Sequence, residues 1–522
     1  MKVALSLVLA LALAAAFLAQ MLRWLRVLQR EHYEANAMRR FLARWSSPPI
    51  GPAKRPDQST LRRPVTLTHV LLVALFVTVV LGADTLAGVV TVFYGALCPQ
   101  GLSIKGRTSK LQWTRRLTTV AVVAASAGLI LAVGGIFTKR PWLLAIAMVW
   151  AVPLLLDLSA RVMAPIEDRK AQTYVRQADE RLKKVRPRVV GITGSYGKTS
   201  TKNHLRDLLA GVDGVVASPR SFNNRAGLSR AINENLAEGT QIFIAEMGTF
   251  APGEIAELCT WCPPDIAVIT AIGPVHLERM KSLEVIESAK FEITERASTV
   301  VVNIDDGRLA RWPQRLTNAG KKVRTVGSQS PSASVRVLEH EGRWDLVIDG
   351  ALVTSVTPIM GVQVTNLACA VGAALELGVS QDLIARQLGE VTVVANRSNV
   401  VRAPSGVMVI DDTFNANPAS ASAALGLLAS LSLEGRRVVV TPGLIELGDD
   451  QYTENQILAK KATAYGMELV IVGRTNAVAL LTGYAGQVRR FDTRDQAVSW
   501  VRSALVTGDG VLYLNDLPDH YP

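Results

Sequence analysis

At 522 residues, 49% of them apolar, and with a formal net charge of +13, the chain is long enough for about three domains. The charge is unevenly shared: residues 1 to 188 hold 27 Lys/Arg against 9 Asp/Glu, whereas residues 189 to 522 hold 30 against 35. The basic excess therefore lies among the apolar segments, where it answers to the positive-inside rule and to anionic headgroups, and gives no reason to expect a nucleic-acid partner.

Residues 3 to 22, 66 to 98, 117 to 137 and 141 to 156 are nearly uncharged apolar runs. Most reach the roughly 20 residues that a helix needs to cross a bilayer. A cleaved signal peptide explains the first run poorly, because no clear small-residue cleavage site follows and Arg23, Arg26 and further apolar runs do. Ten Lys/Arg fall between 22 and 65, five between 99 and 116, and nine between 161 and 188. All three segments should face the cytoplasm. That works if 66 to 98 breaks at Gly82-Ala83-Asp84 into a hairpin of two short passes, so that the chain starts outside and crosses five times. Four spans, with the first basic loop outside, is the alternative. Residues 1 to 160 are thus expected as a multi-pass region of the cytoplasmic (inner) membrane, with lipid as a partner and the soluble domains in the cytoplasm.

Residues 161 to 188 read as a charged connecting helix, with Tyr174, Ala178 and Leu182 at four-residue spacing and Pro187 ending it. Then Val189-Val190-Gly191-Ile192-Thr193-Gly194-Ser195-Tyr196-Gly197-Lys198-Thr199-Ser200 reads as a buried strand turning through a glycine loop into a helix. Glycines let backbone N–H groups converge on phosphate oxygens, Lys198 supplies a mobile cation, and a Thr199 hydroxyl suits Mg²⁺. The strict Walker spacing fails, because Ile192 stands five residues before Gly197; the shorter T-G-x-x-G-K-T form survives.

Apolar strands at 242 to 247, 266 to 270, 299 to 304 and 323 to 326 alternate with helical stretches, which predicts a parallel sheet covered on both faces. Residues 333 to 361 read instead as antiparallel ribbons turning at Glu341-Gly342 and Asp349-Gly350, and 364 to 378 as an alanine-rich helix. A second α/β pattern opens near Val401, with strands at 407 to 410, 437 to 441, 469 to 472 and 511 to 514. The fold expected is α/β: N-terminal transmembrane helices, a P-loop parallel-sheet ATPase domain over 189 to 395, and a Rossmann-like domain over 396 to 522. Among Cys98, Cys259, Cys262 and Cys369 only one CxxC pair occurs, without the partners of a zinc site, so reduced structural cysteines are expected.

Four further signals fall at strand ends or loop starts, the ligand-holding edge of an open α/β sheet. They are Ser221-Phe222-Asn223-Asn224-Arg225-Ala226-Gly227, Ile244-Ala245-Glu246-Met247-Gly248, Pro274-Val275-His276-Leu277-Glu278 and Ser288-Ala289-Lys290-Phe291-Glu292. Each alone is an ordinary surface or strand-end charge. In this order after Gly197-Lys198-Thr199, they make residues 185 to 522 resemble the Mur ligases, which join an amino acid or dipeptide to a carboxylate using ATP. Within that family the nearest likeness is to the D-alanyl-D-alanine-adding branch, MurF. It rests on Asp411-Asp412-Thr413-Phe414-Asn415-Ala416-Asn417-Pro418, on Asn223-Asn224 and on Ile445-Glu446-Leu447-Gly448.

The resemblance implies that Gly194, Gly197, Lys198, Thr199 and Ser200 hold the phosphates of ATP, with Lys198 at the β- and γ-phosphates. It puts a first Mg²⁺ on Thr199 and Glu246 and a second near His276, and makes Lys290 a lysine that CO₂ carbamylates into an anionic metal-site ligand. Arg397 and Asp412 would reach ATP when the domains close, Asp412 at the ribose, and Asn366 would lie near adenine. Asn223, Asn224, Asn415 and Asn417 would lie near the substrates. The catalytic set implied is Lys198, Lys290, His276 and Arg397.

Three departures from the family pattern stand out. Val362-Gln363 replaces the usual His-Asn before Asn366, and 514 to 519 replaces a Lys-Gly-Ser run. Apolar runs occupy the place of the domain that binds the UDP-sugar. The function expected is a membrane-anchored amide ligase of peptidoglycan precursor synthesis, adding D-alanyl-D-alanine or a similar amine to a muramyl peptide, UDP-linked or lipid-linked. A γ-glutamyl ligase outside the wall and a non-catalytic ATP-binding subunit of a membrane complex are the alternatives.

Overall fold

The computed structural model describes residues 2–31, 67–99, 111–134, 140–393, 399–413 and 416–516, together with residues 33, 38, 102, 104, 137 and 138. Arg397 and Asn415 lie outside the described residues. The chain divides into two compact units, one built mainly on residues 1–169 and the other on 170–472 and 480–515.

The first unit is helical. Its elements are α1 (Lys2–Arg30), α2 (Leu67–Val80), α3 (Asp84–Leu97), α4 (Arg115–Gly134) and the start of α5 (Pro141–Val185). The expected break between α2 and α3 is present, with Gly82 at φ 70° turning the chain. α1, α4 and α5 contain stretches long and apolar enough to cross a membrane. α2 and α3 have 14 residues each, about 21 Å at 1.5 Å per residue. One difference from expectation is that the charged connecting segment is not separate: α5 runs unbroken through 45 residues, with Pro153 and Pro165 inside it. Each proline removes one helical hydrogen bond, and here two removed bonds do not end the helix.

Contacts tie the helix ends together in two groups. At one, Arg23 donates to the carbonyls of Ala96 (2.6 Å), Cys98 (3.1 Å), Leu102 (3.1 Å) and Gly95, Gln20 Nε2 donates to Cys98 O (2.7 Å), and Gln29 Nε2 donates to Gln112 O (2.6 Å). At the other, Arg140 pairs with Asp84 and donates to Val79 O (2.9 Å). Between them a Cβ at Gly95 would stand 2.4 Å from the Ala16 Cβ, so α1 and α3 touch backbone to backbone. Leu7, Leu11, Phe76, Leu129 and Ile130 are exposed on this unit.

The second unit holds two sheets. The larger has nine strands in the order β2-β3-β1-β4-β5-β6-β7-β8-β9. Its parallel part comprises β1 (Arg188–Thr193), β2 (Val215–Ala217), β3 (Ile242–Glu246), β4 (Ile266–Ile269), β5 (Thr299–Asn303) and β6 (Lys322–Gly327). β3 and β4 are buried at every position, as strands covered on both faces must be. β7 (Val335–His340), β8 (Arg343–Ile348) and β9 (Ala351–Val356) are antiparallel and turn where expected, with Glu341, Gly342, Asp349 and Gly350 all at positive φ.

The second sheet is β10-β11-β15-β12-β13-β14: β10 (Asn399–Arg402), β11 (Met408–Asp412), β12 (Arg437–Thr441), β13 (Glu468–Val472), β14 (Arg489–Phe491) and β15 (Gly510–Leu514). It is parallel except for the edge strand β10. The short strands β2, β10 and β14 carry too few residues to show a pattern and were not expected. Cys259, Cys262 and Cys369 are buried and free.

Candidate active site

β1 lies between β3 and β4, so the connections leaving its two sides diverge and open a crevice beyond its carboxyl end. The glycine loop fills that crevice and leads into α6 (Lys198–Leu208). Gly194 has φ 150° and Gly197 φ 78°; Cβ atoms there would stand 2.0 Å from Thr270 Oγ1 and 2.1 Å from Asn366 Oδ1. Only glycine fits both positions. The segment after β4 holds the loop: Ser195 N donates to Ala271 O (2.7 Å), Ser195 Oγ to Gly273 O (3.1 Å), and Thr270 Oγ1 to the carbonyls of Thr193 and Tyr196. Lys198 Nζ folds back to Gly194 O at 2.7 Å.

Register pairs Ile192 with Glu246, so the β3 terminus presents its carboxylate level with the start of the loop. Glu246 is 1% exposed, and its two oxygens are fully engaged. Oε2 accepts from Thr199 Oγ1 (3.0 Å) and faces Lys202 Nζ (3.2 Å), while Oε1 accepts from Asn223 Nδ2 (3.0 Å). Lys202 also donates to Arg220 O, and Ser218 Oγ receives the Glu246 N–H (3.2 Å). Lys202 is 2% exposed. Burial lowers its pKa against the restoring pull of Glu246. Sequence reasoning passed over Lys202. The available signal was its spacing, three after Thr199 and four after Lys198, which puts it on the same helix face.

Beyond α7 (Arg225–Asn235), Lys290 lies near the end of α8 (Leu283–Phe291) and is also buried. Burial, and then the charge of Lys198, hold its amine well below the usual lysine range. His276 has φ 57°, its ring meets Phe250 edge-on at 4.7 Å, and its Nδ1 lies 2.7 Å from Glu446 Oε2 of the second sheet domain. Asn366 opens α9 (Val364–Glu376) beside the loop, its Nδ2 donating to Gln363 Oε1 (3.1 Å). Asp412, at the end of β11, lines one pocket with Gly197, Ser200, Asn366 and Asn417.

The expected residues therefore divide. Gly194, Gly197, Lys198, Thr199, Glu246, Asn223 and Lys290 gather at the loop, and Ser200, Asn366, Asp412 and Asn417 line the adjoining pocket. Asn224 and Asn417 are occupied as helix caps, Asn224 Oδ1 accepting from Gly227 N and Asn417 Oδ1 from Ser420 N, each at 2.9 Å. Thr199 and Glu246 form the kind of hard-oxygen pair that holds Mg²⁺ together with phosphate oxygens and water. His276 engages Glu446 through Nδ1 alone, which leaves Nε2 outside that contact, and among the described residues no three His, Cys, Asp or Glu side chains group as a metal cage.

A glycine loop at the switch point of a parallel sheet, opening a helix on Lys-Thr beside a strand-end carboxylate, defines a P-loop nucleotide-binding protein with a second α/β domain. Residues 192–374 match the Mur ligase middle domain, and residues 396–514 match the Mur ligase glutamate ligase domain. The chain belongs to the Mur ligase family.

The UDP-N-acetylmuramoyl-tripeptide--D-alanyl-D-alanine ligase of Bacillus subtilis (strain 168) is 33% identical over 275 residues, covering 52% of this chain and 59% of that protein. The protein of the same name from Mycobacterium tuberculosis (strain ATCC 25618 / H37Rv) is 32% identical over 305 residues, covering 56% and 60%. The chain thus spans about three fifths of the length of these relatives. Among solved structures, MurF ligase from Thermotoga maritima in complex with ADP superposes with a TM-score of 0.58 at 25% identity, over 66% of this chain and 80% of that one. MurF from Acinetobacter baumannii, at 24% identity and a TM-score of 0.57, covers 66% and 77% and shares the fold.

Proposed function

We propose that the chain is a membrane-anchored, ATP-dependent amide ligase of peptidoglycan precursor synthesis. It activates a muramyl-peptide carboxylate and joins it to D-alanyl-D-alanine or a similar amine. The observation that carries this is Glu246, buried and bonded to Thr199 beside the glycine loop, inside the segment that matches the Mur ligase middle domain. The two named relatives and the ADP complex support the substrates and the nucleotide.

A carboxylate is a poor electrophile. Transfer of the γ-phosphoryl group of ATP to it breaks the bond to the β-phosphate, releases ADP and forms an acyl phosphate. The amine then attacks the acyl carbon and expels phosphate. Negative charge builds on oxygen in both steps, and positioned cations neutralise it. Lys198 and the loop N–H groups hold the phosphates, while Asn223 and Lys202 fix the Glu246 carboxylate. Thr199 and Glu246 would hold Mg²⁺, which supplies further neutralising charge. Burial, and then the charge of Lys198, shift Lys290 toward the neutral amine, the form that takes up CO₂, and carbamylation there is part of the proposal. Asn366 serves the adenine, Asp412 the ribose, and Arg397 the phosphates when the last domain closes.

The first unit is read as the membrane region. Its exposed leucines, Phe76 and Ile130 suit lipid, and its helix ends favour five passes over four. Arg23 and Gln29 meet Gly95, Ala96, Cys98, Leu102 and Gln112 at one end, while Asp84 meets Arg140 at the other, which supports putting the helix ends that flank the basic segments on one side, the cytoplasm.

The test is to incubate the detergent-purified chain with ATP, Mg²⁺ and a panel of UDP-linked and lipid-linked muramyl peptides, with D-alanyl-D-alanine or glutamate as amine. A product heavier by one dipeptide, with ADP and phosphate, is expected. ATP binding without any amide product would overturn the reading.

A further inference from the structure

Three cations close to the glycine loop or on α7 are committed to carboxylates: Lys202 to Glu246 (3.2 Å), Arg225 to Glu257 (3.2 Å) and Arg230 to Glu234 (2.8 Å). Arg220 differs from them, being exposed and without a side-chain partner among the described residues. It follows the carboxyl end of β2, which runs parallel to β3 and so delivers the chain to the same sheet edge as Glu246. The Arg220 backbone is left-handed, with φ 47°, a conformation that a non-glycine residue keeps only where its neighbours fix it. Here the fixing group is the buried Lys202 ammonium. It donates to the Arg220 carbonyl and lies 3.2 Å from Glu246 Oε2, which is itself 3.0 Å from Thr199 Oγ1. Three short links thus tie the Arg220 backbone to the Thr199 hydroxyl, while its long side chain stays free to move.

An acid that is to meet the γ-phosphate of ATP brings a second anion to an anionic site, and a cation must hold it there. The asparagines of this loop carry no charge, and both are occupied: Asn223 Nδ2 donates to Glu246 Oε1, and Asn224 Oδ1 caps α7. An arginine fork matches a carboxylate with two parallel N–H···O bonds. We propose that Arg220 binds the carboxylate of the acid substrate, with Lys202 holding its backbone in place. The assignment rests on the ligase reading above and adds to it the residue that recognises the acid.

The experiment is steady-state kinetics of the intact detergent-solubilised protein with UDP-N-acetylmuramoyl-tripeptide, ATP and D-alanyl-D-alanine, for the wild type, Arg220→Gly and Arg220→Lys. Glycine takes a left-handed φ without strain, so an effect of Arg220→Gly is not a failure to fold. In Arg220→Gly the KM for the tripeptide should rise about tenfold or more while the KM for ATP stays within about twofold. Arg220→Lys, which keeps the charge without the fork, should recover part of the loss. In calorimetry the wild type should bind the tripeptide about tenfold more tightly than its terminal carboxamide, and Arg220→Gly should bind the two alike. An unchanged tripeptide KM in Arg220→Gly overturns the proposal, as does an equal rise in the KM for ATP. A wild type that binds ATP but forms no amide overturns the ligase reading, and the proposal falls with it.

Discussion

His276 Nδ1 and Glu446 Oε2 meet at 2.7 Å, joining the nine-stranded sheet domain to the six-stranded one. The backbones meet as well, Leu277 N donating to Glu446 O at 3.2 Å. Both residues sit at left-handed φ, 57° and 63°, a conformation that non-glycine residues rarely hold without surrounding support. This junction is one point at which the second sheet domain grips the first. Glu446→Ala and His276→Ala should each weaken the grip, and the double variant should add little. A double-mutant cycle on unfolding midpoints of the intact protein should return a coupling on the order of 1 kcal/mol; strict additivity would refute the grip.

Glu246 and Lys202 are a buried ion pair, and removing one partner strands the other charge. Glu246→Gln should therefore destabilise the fold by roughly 3 kcal/mol. Adding Lys202→Met should recover a sizeable part of that loss. Urea midpoints of the single and double variants measure it, and a double variant no more stable than Glu246→Gln would count against the pairing.

His204 also makes stability depend on pH. Burial pushes its folded pKa down to about 4, below the ordinary imidazole value of about 6.5, so the unfolded chain binds the extra proton. The contribution is complete above pH 6.5 and is lost as pH falls from there toward 4. Since the group is almost fully buried, the loss amounts to about 3 kcal/mol across that window. Thermal melts of the wild type should fall over it more steeply than those of His204→Leu, and parallel curves would contradict the assignment.

Five passes put Gly82 and Gln112 on opposite sides. In intact cells a membrane-impermeant maleimide should label Gly82→Cys at once and Gln112→Cys only after permeabilisation. Labelling of both in intact cells would rule out the five-pass order.

Much of this arrangement could be read from residue order, because it is written in local chemistry. The strand before Gly194, the glycines at positive φ, the turns at Glu341-Gly342 and Asp349-Gly350, and the break at Gly82 all obey short-range rules. Thr199 beside Glu246 followed from the family resemblance and from the sheet edge on which both stand. What escaped depends on packing over long separations. Lys202 looks like one more helix-surface charge until β3 brings Glu246 onto it, and Glu446 reaches His276 across 170 residues. Asn417 and Asn224, expected near the substrates, also cap the helices that follow them through Oδ1, a local role that escaped notice. The continuous α5 was hidden because a change of composition near residue 160 resembles a boundary, whereas the backbone hydrogen bonds are indifferent to it.

The arginine at position 23 decides where α3 is allowed to stop. On the proposed membrane reading, a helix about 21 Å long falls short of a hydrocarbon layer of about 30 Å, and its last carbonyls would be buried with no water to receive them. Here one guanidinium group, aided by Gln20, takes over that solvent role for Gly95, Ala96, Cys98 and Leu102. In a bilayer, the abbreviated hairpin would thereby be freed from having to span the full thickness by itself.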